Sequence, residues 1–186
     1  GYSIDALLPE NGFNVARAVV GSEGTLITIL EATLHLVPEP AARSLLVLGY
    51  PDVFSAGDHV TKILPLKPTG LEGIDHLLFH WIRAKGDKEA NLGLMPKGEG
   101  FLMVEFGGDS KQDSDDQARR CMDILRREPN APEMKLFDNR EDEEMVWKVR
   151  ESGLGATAWV PGRPDTWPGW EDSAVPPEKV PTCRVV

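Results

Sequence analysis

Between Ser44 and Glu151 the sequence alternates short apolar runs with amphipathic segments, and this alternation restricts the possible folds more than any other feature. Three runs have the character of strands: SLLVLGY at 44–50, GFLMVEF at 100–106 and MKLFD at 134–138. Three segments with helical periodicity follow them in turn, at 52–66, 114–127 and 140–151. This order of strands and helices predicts an α+β fold, in which a sheet carries its helices on one face.

The clearest of these helices covers residues 114–127. Its apolar residues form one stripe: Ala118, Cys121, Met122 and Leu125. Asp113, Asp115 and Asp116 lie at its N-terminal end, where the helix dipole favours negative charge. We expect these carboxylates to be a solvated helix start rather than a calcium loop, because the glycine and glutamate positions of such a loop are missing.

Apolar residues at helical spacing also occur between the first and second strand-like runs. These residues are Leu71, Ile74, Leu78 and Ile82. Their spacing indicates a further helical segment over 71–82.

Residues 26–37, LITILEATLHLV, have the pattern of a strand that precedes the alternating region. The even positions are mostly apolar, and Pro38 and Pro40 end the run because proline cannot donate to a β-ladder. We therefore place a domain boundary here. The sequence predicts three parts, residues 1–40, residues 41–180 and an atypical tail at 181–186.

Charge and composition exclude several classes of function. The chain carries 20 basic and 30 acidic residues, a formal net charge of −10, so nucleic acid is not an expected partner. No apolar run approaches the roughly 20 residues of a transmembrane helix, and no signal peptide is visible. Cys121 and Cys183 show no paired spacing, which indicates reduced thiols in a cytoplasmic protein.

Gly21-Ser22-Glu23-Gly24-Thr25 is the first candidate site. Its glycines would let the backbone approach a ligand, and its N–H groups would face a phosphate or a flavin. It is not a P-loop, because no lysine follows at the required spacing. Spacing alone favours the alternative, a tight turn that leads into a strand.

Three further groups have possible chemistry. His76 and His80 are four residues apart and could bind zinc, but a third ligand is not evident and surface histidines are the default. Arg150 could hold a substrate carboxylate, or it could pair with a nearby acidic residue: Glu143, Glu144 or Glu151.

The carboxylates of the segment WEDSAVP, 170–176, could act as general bases or simply begin a strand. The segment belongs to a proline-rich stretch, 160–181, that is either an ordered lid or a linker.

Taken together, the motifs resemble a known family. VGSEGTLITILEATLHLVPEP resembles the closing strand of the FAD-binding domain in flavoenzymes of the vanillyl-alcohol oxidase type. The rest is similar to the C-terminal cap of FAD-linked oxidases, in the glycolate oxidase subunit and D-lactate dehydrogenase branch. The supporting motifs are WKVRE at 147–151 and EDSAVP at 171–176. Residues 151–178 are similar to a subgroup that is often fused to an iron–sulfur domain.

The resemblance implies a fold, a cofactor and site residues. The implied fold is the tail of an FAD-binding domain followed by a ferredoxin-like antiparallel sheet with helices on one face. Gly21, Ser22, Glu23, Gly24 and Thr25 would line the flavin or its pyrophosphate, and Ile29 would pack nearby. Arg150 would hold the carboxylate of a 2-hydroxy acid of the D-lactate or glycolate type, whose hydride passes to the flavin.

Two motifs of the family are absent from this chain, the upstream glycine-rich flavin loop and the downstream histidine motif. We therefore expect a middle piece of a flavoenzyme, whose partner is the missing remainder and which is colourless and inactive when isolated. Two alternatives remain. One is a flavin oxidase of another alcohol or sugar acid, and the other is a non-catalytic α+β interaction domain.

Overall fold

The computed structural model describes residues 2–85, 92–151, 153, 162, 164 and 176–182. The chain divides into two compact units, Gly1–Glu39 and Pro40–Val186. The first unit has 3-10 turns at Ile4–Leu7 and Pro9–Asn11 and a short helix, α1, at Val15–Val19. That residues 1–40 and 41–180 are parts of two domains of a flavoprotein stays a prediction.

The second unit contains a four-stranded antiparallel sheet. Its strands are β1 Ala42–Tyr50, β2 Gly70–Asp75, β3 Gly100–Gly108 and β4 Glu133–Phe137. Its helices are α2 Val53–Ile63, α3 His76–Ala84, α4 Lys111–Leu125 and α5 Arg140–Glu151. The strand order β2-β3-β1-β4 is that of a ferredoxin-like split βαβ arrangement, which confirms the predicted α+β class.

Helices cover both faces of this sheet, which differs from the expectation of helices on one face. The crossover helices α2 and α4 pack on the face that carries Leu46 and Leu48, whereas α3 and α5 pack on the face that carries Leu45 and Val47. All four of these β1 residues are at most 1% exposed. A strand that is apolar on both faces requires cover on both, and the two additional helices provide it.

Strand β2 replaces the first half of the helical segment predicted over residues 71–82. Apolar side chains spaced three and four residues apart continue across the junction, so the pattern does not reveal the change from strand to helix. Ile74 lies in β2 and Leu78 lies in α3, yet both contribute to the same core. The side chain of Asp75 ends the strand and accepts a hydrogen bond from the Leu77 N–H, at 2.8 Å.

Residues 26–37 do not form the strand that their alternating pattern predicts. The structure assigns them no regular element, and several of their apolar side chains are exposed, among them Leu30 at 93% and Leu36 at 83%. Alternation specifies which side chains share a face, but a strand also needs a neighbour for its N–H and C=O groups. No described residue of the first unit pairs with this segment as a strand.

Several predictions concern residues that the structure does not describe. They include most of the proline-rich stretch 160–181, the carboxylates Glu171 and Asp172, and Cys183. Cys121 is described as a free, buried thiol in α4, and burial raises its pKa to about 11. Within the described ranges, every helix is too short or too polar to cross a bilayer.

Candidate functional site

The Gly21–Thr25 turn follows α1 and has an unusual backbone. Gly21, Glu23 and Gly24 have φ angles of 78°, 48° and 75°. These values lie in the left-handed region, which is unfavourable for residues with a Cβ atom but not for glycine, which has none. The two glycines are therefore required by the path of the chain, and Glu23 adopts the same conformation at some cost.

Hydrogen bonds on its inner side stabilise the turn. Ser22 is only 4% exposed, and its carbonyl oxygen accepts two bonds from Thr25, from the N–H at 2.9 Å and from Oγ1 at 2.6 Å. Since the Thr25 hydroxyl donates there, the Tyr2 hydroxyl donates to Thr25 Oγ1, at 2.8 Å. These contacts fix the turn from within the first unit.

The outer side of the turn is open. Apart from each glycine and its chain neighbours, no atom of the described residues lies within 4 Å of the positions that a Cβ atom would take at Gly21 or Gly24. Among the described residues, none accepts a hydrogen bond from the N–H of Glu23 or of Gly24. Ile29, a little further along, is 60% exposed. The turn thus presents an open backbone edge that a flat or anionic ligand could approach.

Arg150 lies in the last turn of α5, in the second unit. Val146 and Val149 bury the inner side of the helix at 1% exposure each, while the Arg150 side chain is 44% exposed. Its Nε–H donates to Glu72 Oε2 on β2, at 3.1 Å. Of the described residues, Glu72 is the one carboxylate within ion-pair distance of this guanidinium.

None of the predicted acidic partners on α5 pairs with Arg150 in the structure. Glu144 accepts a bond from Arg140 Nε at 2.7 Å, and Glu143 lies 3.4 Å from Lys111 Nζ. The true partner was missed because Glu72 comes from the edge strand that the sequence pattern did not reveal. Local spacing along a helix identifies i, i+4 pairs, but it does not identify a contact between residues 78 positions apart.

A buried polar cluster joins β1, α4 and α5, and sequence reasoning missed it. Ser44 Oγ donates to Asp115 Oδ1 at 2.5 Å, and Lys111 Nζ lies 2.9 Å from Ser44 Oγ and 3.0 Å from Asp115 Oδ1. Ser114 Oγ is 2.8 Å from Ser44 Oγ. Asp115 is therefore not solvated as predicted, being only 9% exposed, because its charge is neutralised within the fold.

The pKa values of the two carboxyl groups in the cluster, Asp115 and Glu143, shift in opposite directions. Burial alone would raise the pKa of Asp115, but the hydrogen bonds from Ser44 and Lys111, with the charges of Lys111 and Arg119, lower it below its usual range. Burial raises the pKa of Glu143, and the nearby Lys111 offsets only part of that rise. Because Ser44 and Ser114 are fully buried, their hydroxyl groups join elements of the fold and are not accessible nucleophiles.

The histidine pair does not form part of a metal site in the described structure. His76 and His80 are both exposed on α3. His76 Nδ1 lies 2.9 Å from Asp75 Oδ1 and 3.2 Å from the Glu99 carbonyl oxygen. Within the described ranges, no three histidine, cysteine or acidic side chains are grouped so that they could hold a metal ion.

Comparison with known proteins gives one family and several relatives. The family model for FAD linked oxidases, C-terminal domain, matches residues 39–184. The D-2-hydroxyglutarate dehydrogenase of Pantoea ananatis is 28% identical over 184 residues, and the match covers 89% of this chain and 17% of that protein. The glycolate oxidase subunit GlcD of Bacillus subtilis is 27% identical over 171 residues, with 91% and 34% covered.

A plant protein is similar to a comparable degree. The mitochondrial D-lactate dehydrogenase [cytochrome] of Arabidopsis thaliana is 29% identical over 154 residues, which cover 81% of this chain and 26% of that protein. The chain therefore spans between 17% and 34% of the length of these three relatives.

Proposed function

Because the chain belongs to the family of FAD-linked oxidase C-terminal domains, we propose that it is part of an FAD-dependent oxidoreductase that oxidises a 2-hydroxy acid. The observation that carries the proposal is the family match over residues 39–184. The names of the relatives support the substrate class, since D-2-hydroxyglutarate, glycolate and D-lactate are all 2-hydroxy acids.

The open turn at Gly21–Thr25 fits contact with the cofactor. FAD, when bound, supplies the acceptor for the hydride on the hydroxyl-bearing carbon of the substrate. The backbone of Gly21, Ser22, Glu23, Gly24 and Thr25 would lie against the flavin or its pyrophosphate, with Ile29 nearby. The space around the two glycine Cβ positions, which no described residue beyond their chain neighbours enters within 4 Å, supports such an approach.

Arg150 is the residue that we assign to the substrate. A guanidinium binds a carboxylate through two parallel N–H···O bonds, which fix the orientation as well as the charge. Held in this way, the acid would present its hydroxyl-bearing carbon in one defined position, and positioning of this kind is a large part of catalysis by cofactor enzymes. The exposed Arg150 side chain, at the end of a well-anchored helix, is suited to this task.

The proposal is tested on the protein expressed from the complete reading frame. We expect a yellow protein whose visible flavin absorbance is bleached by at least one of D-lactate, glycolate and D-2-hydroxyglutarate under anaerobic conditions. The 186-residue chain alone is expected to be colourless after dialysis. If the complete protein retains no flavin, or if none of the three acids bleaches it, the proposal is wrong.

Arg150→Lys tests the assignment of the substrate carboxylate. Lysine keeps the charge but loses the bidentate geometry, so we expect kcat/KM for the acid to fall by about tenfold or more. Arg140→Lys is the matched control, because Arg140 lies on the same helix, is 91% exposed and pairs with Glu144 through Nε. If kcat/KM for the acid is the same in the two variants, Arg150 does not bind the substrate carboxylate.

A further inference from the structure

We infer that Glu72 is a positioning residue for Arg150, and this inference rests on the proposed function. Glu72 holds the guanidinium by Nε, so that the edge formed by Nη1 and Nη2 is directed to receive the substrate carboxylate. The sequence gives no hint of this role, since Glu72 lies in no motif and 78 residues away from Arg150.

Strand β2 places Glu72 on the side of the sheet where α5 packs. Glu72 pairs in register with Met103 of β3, and Met103 is fully buried in the core that contains Val146 of α5. Ile74, two residues further along β2, points to the same face and is buried in the same core. The core therefore holds the backbone of Glu72 in place, and the side chain extends from β2 to Arg150 in the last turn of α5.

The other half of the contact is equally constrained. Trp147 of α5 packs against the same core, and its ring atoms lie 4.0 Å from the position that a Cβ atom would take at Gly70. The indole therefore lies beside β2, and this packing positions α5 relative to the strand that carries Glu72. Val149, directly before Arg150, is buried against Ile82 of α3.

Among the described residues, no carboxylate pairs with the Nη1 and Nη2 end of Arg150, so that end can receive another carboxylate. Glu72 engages the guanidinium through Nε, which is the side of the planar group next to the aliphatic stem. A carboxylate binds the far end of the same plane through Nη1 and Nη2, so one guanidinium can hold both groups at once. Fixing Nε restricts the rotation of a long side chain before the substrate arrives, which lowers the entropic cost of binding.

Stability alone does not explain this ion pair. The side chains of Arg150 and Glu72 are 44% and 41% exposed, and ion pairs that are this exposed contribute little to the stability of a fold. Glu72 also brings a negative charge close to the place where the acid would bind, which weakens attraction of the acid. The arrangement gives up some charge attraction and gains a fixed orientation.

The kinetic test uses the complete flavoprotein and three variants. For Glu72→Ala we expect KM for the 2-hydroxy acid to rise by about tenfold while kcat changes by less than about twofold, because ordering of Arg150 before binding is lost. Glu72→Gln keeps an acceptor for Nε–H and should restore most of the affinity. Glu144→Ala, which removes an Nε partner from Arg140 on the same helix at 2.7 Å, should change neither constant.

The outcomes separate this inference from the proposed function. If Arg150→Lys impairs the enzyme but Glu72→Ala leaves KM unchanged or lowers it, the positioning role is wrong and the proposed function stands. If Arg150→Lys has no effect while the acid is still oxidised, Arg150 is not the substrate ligand, and the inference fails with that assignment.

A second measurement tests the geometry without any activity. In the NMR spectrum of the 186-residue chain, the Nε–H signal of Arg150 should be shifted and slow to exchange, and both properties should disappear in Glu72→Ala. Glu72→Gln should retain them in part, and the Arg140 signal should not respond to either change. An Arg150 signal that is indifferent to Glu72→Ala would overturn the inference.

Discussion

A carboxylate at the start of a helix can be solvated or buried, and Asp115 shows how little in the local sequence decides between the two. Asp113, Asp115 and Asp116 occur within one turn of α4, yet only Asp115 is buried. Its partners Ser44 and Lys111 determine that difference, and Ser44 comes from another element. Residue spacing predicts the helix, but it does not predict which carboxylate meets a partner from a distant strand.

Asp115→Asn should destabilise the protein at neutral pH by about 2 kcal/mol, the usual contribution of hydrogen bonds to a charged group. The lowered pKa of Asp115 means that its charge stabilises the folded state above the unfolded value near 3.8, and that this contribution is lost as the pH falls through the folded value. The difference in unfolding free energy between wild type and variant should therefore shrink below about pH 4. Urea denaturation at a series of pH values measures it.

Asp116→Asn is the matched control for that experiment. Asp116 is 61% exposed and pairs only with its helix neighbours Gln112 and Arg119 among the described residues, so its loss should cost less than about 0.5 kcal/mol. If both variants lose the same free energy, the buried cluster does not stabilise the fold in the way described.

At the residue level, the candidate site was only partly predictable. Arg150 was identified as a possible carboxylate ligand, and its role stays a proposal. The contact with Glu72 was not identified, because it requires the register of β2 on β3 and the packing of α5. The left-handed turn at Gly21–Thr25 was visible in its glycines, but the left-handed conformation of Glu23 was not.

At the level of elements, strong periodicity predicted most of the second unit. The runs assigned as strands at 44–50, 100–106 and 134–138 correspond to β1, β3 and β4, and the predicted helices correspond to α2, α4 and α5. Strand β2 was missed, because its two glycines leave only Leu71 and Ile74 as apolar signals. The segment 26–37 shows the reverse, because it has a strong strand pattern but no described strand pairs with it.

Two glycines in neighbouring strands should respond very differently to alanine. A Cβ atom at Gly100, at the start of β3, would lie 2.3 Å from the backbone of Asp52 and Val53, where α2 begins. Gly100→Ala should therefore force the helix away from the strand and cost about 1–3 kcal/mol or more. At Gly73 the nearest atom to a Cβ would be Leu102 Cδ2 at 3.9 Å, so Gly73→Ala should be tolerated.

Chemical denaturation of the two glycine variants, with circular dichroism as the probe, checks this expectation. The midpoint for Gly100→Ala should shift clearly to lower denaturant, while that for Gly73→Ala stays near wild type. Similar midpoints for both variants would show that α2 does not approach β3 as closely as the structure indicates.

At the scale of the whole molecule, the core belongs to the second unit. In the part of the chain that the structure describes, the three hydrophobic clusters contain only residues between Leu45 and Val149. The first unit contributes two small buried apolar residues, Ala6 and Ala18, and leaves many large ones exposed. The sequence predicts a domain boundary at Pro38 and Pro40, which stays a prediction, and the pattern of residues 26–37 gives no indication that their apolar side chains are exposed.

Residues 40–186 expressed alone should fold, because every residue of the three clusters is present in them. We expect cooperative urea unfolding and a near-ultraviolet circular dichroism signal from packed aromatic side chains, and better solubility than the longer chain. The improvement follows from removal of the exposed apolar segment 26–37, which is a template for aggregation. A fragment without a cooperative transition would contradict this expectation.

The position of β1 in the sheet also has a consequence for how the molecule is made. As the ribosome releases the chain, β1 emerges first, yet its neighbours are β3, where Leu45 meets Glu105, and β4, where Leu45 meets Phe137. Strand β1 can pair with β3 once β3 has emerged, but its other edge has no partner until β4 has been translated. The sheet is therefore completed late in synthesis, because Phe137 of β4 must leave the ribosome before β1 has both of its neighbours.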